Sequence, residues 1–291
     1  MKKIVLILTC FLGIAVAVAG QDITLQRVEP PFWWKGFKNP NLQVMVHGTG
    51  IGKTTVSIRY PGVELVKVHK VDNPNYLFLD LKILPAARPG NFAINFVNQG
   101  KTVVTYSYQL IDRVKNSANR KGFDASDAIY LLMPDRFSNG DPANDNLEGM
   151  LEKADRNNPN GRHGGDFTGI SNHLDYIKNL GITAIWLNPV LENNQDIYSY
   201  HGYSSTNYYK VDPRFGSNTD YVNLCKAIHA KGMKVIMDMV FNHCGSGHWW
   251  MNDLPMADWL NQFPEFTQTS HRASTVSDPH VSGYDADKYV R

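Results

Sequence analysis

The stretch DMVFNHCGSGHWWMNDLP (238–255) ends an apolar run with Asp238, Asn242 and His243, then adds His248, Trp249 and Trp250. A carboxylate, an amide and an imidazole at a strand end can hold a polar ligand by directed hydrogen bonds, and indole rings can cover its apolar face. Zinc is the weaker reading of the two histidines, which stand five apart in a glycine-containing loop without an evident third ligand. A second group is Asn139-x-Asp141-x-x-Asn144-Asp145, four hard oxygen side chains in a short span. Calcium takes about six to eight such oxygens. An EF-hand does not explain the group, because Ala143 and Asn146 occupy the positions that need an acid and a glycine. An Asx-rich turn would use the same residues for backbone reasons alone. A third group is His201-Gly202-Tyr203, in which a ring face and a neutral imidazole could meet the apolar and hydroxyl sides of one ligand. Phe32-Trp33-Trp34 and Trp259 complete the aromatic candidates, for ligand stacking or for an interface.

Two textures position these groups. From 23 to 110 the chain alternates apolar and polar residues in short runs, such as LQVMVHG (42–48), YLFLDLKIL (76–84) and NFAINFVNQG (91–100). Turn residues at Pro61-Gly62, Asn73-Pro74-Asn75, Pro89-Gly90 and Asn98-Gln99-Gly100 separate them. That pattern predicts a β-sandwich. The polar segment 112–127 reads as a linker. Beyond it, AIYLLMPDRF (128–137), ITAIWLNP (182–189) and MKVIMDMVF (233–241) read as strands, the first as one buried on both faces. Helices are expected over SNHLDYIKNLG (171–181), with Ser171 as cap and Leu174, Ile177 and Leu180 on one buried face, and from Thr219 to Ala230. Strand and helix alternating, with polar residues at each strand end, predict the opening of a parallel α/β barrel whose site lies at the carboxyl ends of its strands. A doubly wound sheet would share that site rule, but its Gly-rich phosphate turn after the first strand is missing.

Composition narrows the setting. MKKIVLILTCFLGIAVAVAG reads as a secretory signal over 1–20, too short for a membrane span, and Cys10 sits in a poor lipoprotein box. Its removal takes away Lys2 and Lys3 but no acid, bringing the 29 basic and 27 acidic residues into balance. A neutral chain without a basic run argues against nucleic acid and anionic membrane as partners. Cys225 and Cys244 could pair after export, yet two residues make no disulfide framework.

The motifs DRFSNGDPANDN (135–146), HGGDFTGI (163–170), LGITAIWLNPV (180–190), HGYSSTNYYKVDPRFG (201–216) and DMVFNH (238–243) resemble, in order and spacing, those of the α-amylase family of glycoside hydrolases. VEPPFWWKGFKNPNLQVMVHG (28–48) resembles the N-terminal domain of its neopullulanase and cyclomaltodextrinase branch, most like the periplasmic starch-utilisation enzymes of Bacteroidetes. The resemblance implies an immunoglobulin-like β-sandwich (21–111), a linker (112–127), the first three β/α units of a (β/α)8 TIM barrel (128–243) and the start of a B subdomain (244–291). It implies calcium on Asn139, Asp141, Asn144, Asp145, Gly164 and Asp166. Substrate contacts are expected from His201, Tyr203 and His243, with Trp249 and Trp250 as stacking candidates, and bracing from Asp238 and Asn242.

Family members keep their catalytic acids after the fourth, fifth and seventh strands. The resemblance therefore places none in this chain and expects the nucleophile and the acid/base beyond Arg291, its last residue. It makes the chain the N-terminal part of a longer retaining enzyme cleaving α-1,4 bonds in cyclodextrins, pullulan or malto-oligosaccharides, inactive by itself. Asp135, Asp166 and Asp238 would otherwise be candidates for the carboxyl pair that retention requires. A homodimer of the full protein is consistent with this branch. The rival expectation is an exported glucan-binding module with a vestigial barrel, resting on residues 32–34. Three strands without their neighbours should also leave an open edge and an exposed apolar face.

Overall fold

The structure, a computed structural model, describes residues 22–265. The expected signal segment lies outside them, as does the end of the B-subdomain stretch with Arg291, the residue beyond which the catalytic acids are expected. Strands β1 (Arg27–Glu29), β2 (Phe32–Trp34), β3 (Asn41–His47), β4 (Thr55–Ile58), β5 (Val63–Lys70), β6 (Tyr76–Ile83), β7 (Gly90–Asn98) and β8 (Lys101–Ile111) form two four-stranded sheets, ordered β1-β3-β6-β5 and β2-β8-β7-β4. All pairs are antiparallel except β2 with β8. Alternation does the sorting. Along β6, Leu77, Leu79, Leu81 and Ile83 point inward, while Phe78, Asp80 and Lys82 point away from the core. They meet Val44 and Val46 of their own sheet and Ile94, Phe96, Tyr108 and Leu110 of the other in one buried cluster.

After the linker, β9 (Ile129–Leu132) is followed by the short helix α1 (Pro134–Phe137). Next come α2 (Phe167–Asn172), α3 (Leu174–Asn179), β10 (Ala184–Leu187), a two-stranded ribbon of β11 (Leu191–Glu192) and β12 (Asn207–Val211), α4 (Asn218–Ala230) and β13 (Lys234–Met237). The three longer strands run parallel in the order β9-β10-β13. Leu132, Ile185 and Leu187 pack with Ile170, Leu174, Ile177, Leu224 and Ile228 of the helices. The opposite face is open: Leu131 is 56% and Trp186 37% exposed, so the first strand is buried on one face and not both.

The expected helix over 171–181 is two helices. Asp166, not Ser171, caps the first, its side chain accepting from the Gly169 N–H, and the chain breaks at His173 before the second begins. Leu180 falls past the end of the second and is 56% exposed, which removes it from the core. The helix from Asn218 matches its sequence signals: Ser217 and Asp220 form a reciprocal capping box. The long run at 233–241 is strand only to Met237, so Asp238, Asn242 and His243 stand in the following loop. Cys225 and Cys244 are both free thiols, and no disulfide joins them. Among the described residues no helix is long and apolar enough to cross a membrane. Residues 256–265 belong to a separate compact unit and carry one 3-10 turn, Ala257–Trp259, which holds Trp259.

Candidate active site

The loops after β10 and β13 meet. His201 ends a 3-10 turn, and its Nδ1 accepts the Tyr203 N–H at 2.9 Å, which leaves the ring proton on Nε2. Gly202 between them is at φ +84°, and a Cβ there would lie 2.2 Å from the Pro189 carbonyl oxygen, so only glycine allows the turn. Burial holds the His201 imidazole below its usual pKa, favouring the neutral ring. Tyr203 donates its hydroxyl to Asp238 Oδ2 at 2.9 Å, and Trp186 Nε1 donates to the same oxygen at 3.2 Å. Burial, with the hydrogen bond and charge of Asp238 added, pushes the Tyr203 phenol up to about 12.

His243 is placed differently from expectation. Its Nε2 lies 2.8 Å from the Tyr203 carbonyl oxygen, which can only accept, and its Nδ1 lies 3.2 Å from Asn242 Nδ2. Both ring nitrogens are therefore engaged within the chain, so His243 holds Tyr203 in place and has no nitrogen left for a ligand. The result is a ring, Tyr203, fixed at its backbone by His201 and His243 and at its hydroxyl by Asp238.

The expected cation loop splits in two. Asn139 Nδ2 donates to both Asp145 oxygens, at 2.8 and 3.0 Å, and a Cβ on Gly164 would lie 2.5 Å from Asp145 Oδ1. Oδ1 of Asn139 and of Asn144 are buried without a hydrogen-bond partner. Burial, aided by the charges of Asp166 and Asp135 and opposed by Asn139, raises the Asp145 pKa. Two unpartnered amide oxygens near a destabilised carboxylate fit a hard, oxygen-liganded cation. The carboxylates of Asp166 and Asp141 are used otherwise. Asp166 accepts from the N–H groups of Gly140, Asp141 and Gly169, and Asp141 accepts from the Ala143 N–H. Among the described residues no three His, Cys, Asp or Glu side chains gather as a metal-binding group.

The tryptophans diverge. Trp249 turns to the sandwich, its ring 4.8 Å from His47, stacked 6.2 Å from Tyr76 and under the Arg27 guanidinium at 4.7 Å. It is an interface residue rather than a ligand platform, because these groups cover it. Trp250 packs on His248 at 4.2 Å and on Tyr208 at 6.0 Å. Phe32, Trp33 and Trp34 line a groove of about 470 Å³ with Asn41, Gln43 and Tyr209.

Residues 27–114 match the family described as Cyclomaltodextrinase, N-terminal, and residues 131–272 match Alpha amylase, catalytic domain, in that order along the chain. The chain belongs to the alpha-amylase family. It is 39% identical over 167 residues to a beta/alpha-amylase of Paenibacillus polymyxa, an alignment covering 54% of this chain and 14% of that protein. It is 41% identical over 117 residues to a cyclomaltodextrinase of Thermoanaerobacter pseudethanolicus, covering 40% and 20% respectively. Neopullulanase 2 of Thermoactinomyces vulgaris is 37% identical over 119 residues, covering 40% of this chain and 20% of its own length. The chain thus spans a fifth or less of these relatives.

Sequence reasoning missed the support behind the site of this family member. Arg162, Asp212 and Arg214 are almost wholly buried. Arg214 grips Asp212 with Nε at 2.9 Å and Nη2 at 2.7 Å and donates to the carbonyl oxygens of Glu152 and Asn193. Burial opposes ionisation of Asp212, but Arg214 and Arg162 outweigh it and hold the carboxyl below its usual range. Asp135 accepts from the His163 N–H at 2.8 Å and sits 3.1 Å from Arg136 Nε and 3.6 Å from Arg162 Nε. The signal was Asp135, Asp212 and Arg214 within motifs already picked out, with Arg162 just before one of them, but nothing in their spacing told buried from exposed.

Proposed function

We propose that the protein carrying this chain is an exported, periplasmic or secreted, retaining glycoside hydrolase that cleaves α-1,4-glucosidic bonds in cyclodextrins, pullulan or malto-oligosaccharides. The observation that carries the reading is the Tyr203 ring held at three points by loops from two parallel strands. Tyr203 covers the apolar face of a glucose unit, and His201 donates from Nε2 to a hydroxyl. Asp238, Asn242 and His243 keep the ring in place. The names of the relatives, cyclomaltodextrinase and neopullulanase, support an α-glucan substrate. Asp135, Asp166 and Asp212 are consumed by backbone N–H groups and arginines, which suits them to bracing and not to attack. On this reading the nucleophile and acid/base are supplied beyond Arg291, as the family resemblance implies.

Calcium fits Asn139, Asn144 and Asp145 beside Gly164, where its charge would offset the buried Asp145 carboxylate and stiffen the loop between α1 and α2. Asp145→Ala should then lower the Tm of the whole protein by about 2–4 °C in calcium and not in chelator; equal shifts reject the site. The groove at Phe32, Trp33 and Trp34 favours a second reading, a glucan-binding module. One assay separates the two. The whole protein should release reducing sugar from β-cyclodextrin with the α-anomer formed first, and the 291-residue chain alone should release none. A β-anomer removes retention, and a whole protein that binds cyclodextrin without cleaving it selects the module.

A further inference from the structure

The loop after β13 has almost no regular structure, only the 3-10 turn Trp249–Asn252, yet it ends on a dense polar node supplied by the sandwich. Asp253 Oδ2 lies 2.8 Å from His47 Nε2 and 3.0 Å from Asn75 Nδ2, and Asp253 Oδ1 accepts from Asn73 Nδ2. The backbone joins in: Tyr76 donates its hydroxyl to the Asp253 carbonyl oxygen, Asn73 Nδ2 donates to the Leu254 carbonyl oxygen at 2.8 Å, and the Asn73 N–H to that of Pro255 at 3.3 Å. His47 Nδ1 is buried without a partner, so the proton belongs on Nε2, and Asp253 receives three side-chain donors. Burial opposes its charge, but the hydrogen bonds from His47, Asn73 and Asn75 win and keep the carboxyl below its usual range.

We propose that Asp253 is a positioning residue through which the N-terminal sandwich fixes the loop after the third barrel strand and, through that loop, the Tyr203 ring. The route is short and physical. Trp249 is clamped by Arg27, His47 and Tyr76; the buried His248 accepts the Trp250 N–H at 3.2 Å, and its ring and that of Trp250 pack on Tyr208. Tyr208 donates its hydroxyl to the His243 carbonyl oxygen at 2.5 Å, and His243 in turn holds the Tyr203 carbonyl oxygen. A carboxylate suits the node because it accepts from every side; an amide would turn donors toward donors, and an alanine would strand three of them. The sandwich is then part of the site's framework and not only an attached domain.

The proposal rests on the reading of Tyr203 as a glucan contact, so its test has two readouts. In the whole protein, Asp253→Ala should speed hydrogen exchange at the Gly245 amide, bonded to the Ser205 carbonyl oxygen, and at the His248 and Met251 amides, bonded within the loop, by about tenfold, leaving β3 and β10 unchanged. It should raise KM for maltoheptaose about tenfold with kcat within about twofold. Asn75→Ala, which removes one donor, should move both in the same direction by about threefold and serves if the first variant does not fold. Unchanged loop exchange overturns the proposal. Faster exchange with unchanged KM overturns the positioning role. A wild-type enzyme silent on every α-glucan removes the glucan reading instead, while loop exchange still decides whether Asp253 holds the segment.

Discussion

The sandwich and the three-stranded sheet are built from strands of similar apolar content, but only one closes on itself. In the sandwich the inner face of each sheet covers the other, and Val44, Leu79 and Ile94 are fully buried. In the parallel sheet the helices cover one face, while Ile129, Leu131, Trp186 and Met237 remain exposed on the sheet. The difference teaches where stability and chemistry are divided. The second region relies on buried ion pairs and loop hydrogen bonds for its order, and those loops carry the site.

The comparison breaks most sharply at Asp212. Asp212→Ala leaves Arg214 buried without its carboxylate, and Arg162 with Asp135 as its remaining one, and should cost about 3–5 kcal/mol, read by urea denaturation. A loss below about 1 kcal/mol would mean that the network is not what orders this half. Next comes a matched pair of leucines. Leu79→Ala in the closed core should cost about 2–5 kcal/mol, while Leu131→Ala on the open face should stay within about 0.5 kcal/mol. Equal losses would show that the face is covered in solution.

The alternating strands of the sandwich are legible because a period of two with turn residues between runs has few other solutions. The helix at 218–230 is legible from its own cap. The break at His173 is not: residues 167–179 keep a helical pattern throughout, and Ser171 and Asp166 both make plausible caps, so only the backbone of the Gly140 loop, bonded to Asp166, decides. The ribbon of β11 and β12 escapes a sequence reading because its strands are too short to show a period. At the site, the residue types at 201, 203, 238 and 243 are readable, but their partners are not. Trp249 reads as a stacking platform in sequence because Arg27, His47 and Tyr76, which cover it, lie far away along the chain. The Asp253 node is invisible for the same reason.

A smaller effect sharpens the contrast through pH. Burial, with Arg27 adding to it, depresses the His248 pKa from 6.5 to about 4. The unfolded chain therefore binds a proton on this ring before the folded one does, so the stabilisation is complete above about pH 6.5 and is lost as pH falls toward 4. His248→Gln should flatten that part of the stability profile in circular dichroism melts, with the sandwich core unaffected; an unchanged slope would mean that the ring protonates in place.

The most direct test falls on Tyr203 itself. In the whole protein, Tyr203→Ala should lower kcat/KM for maltoheptaose by about 100-fold, as expected for losing a stacking contact at the reacting sugar, with Tm shifted by no more than about 2 °C because the ring is partly exposed. Activity within about threefold of wild type would contradict the assignment of this strand-end group as the glucan site.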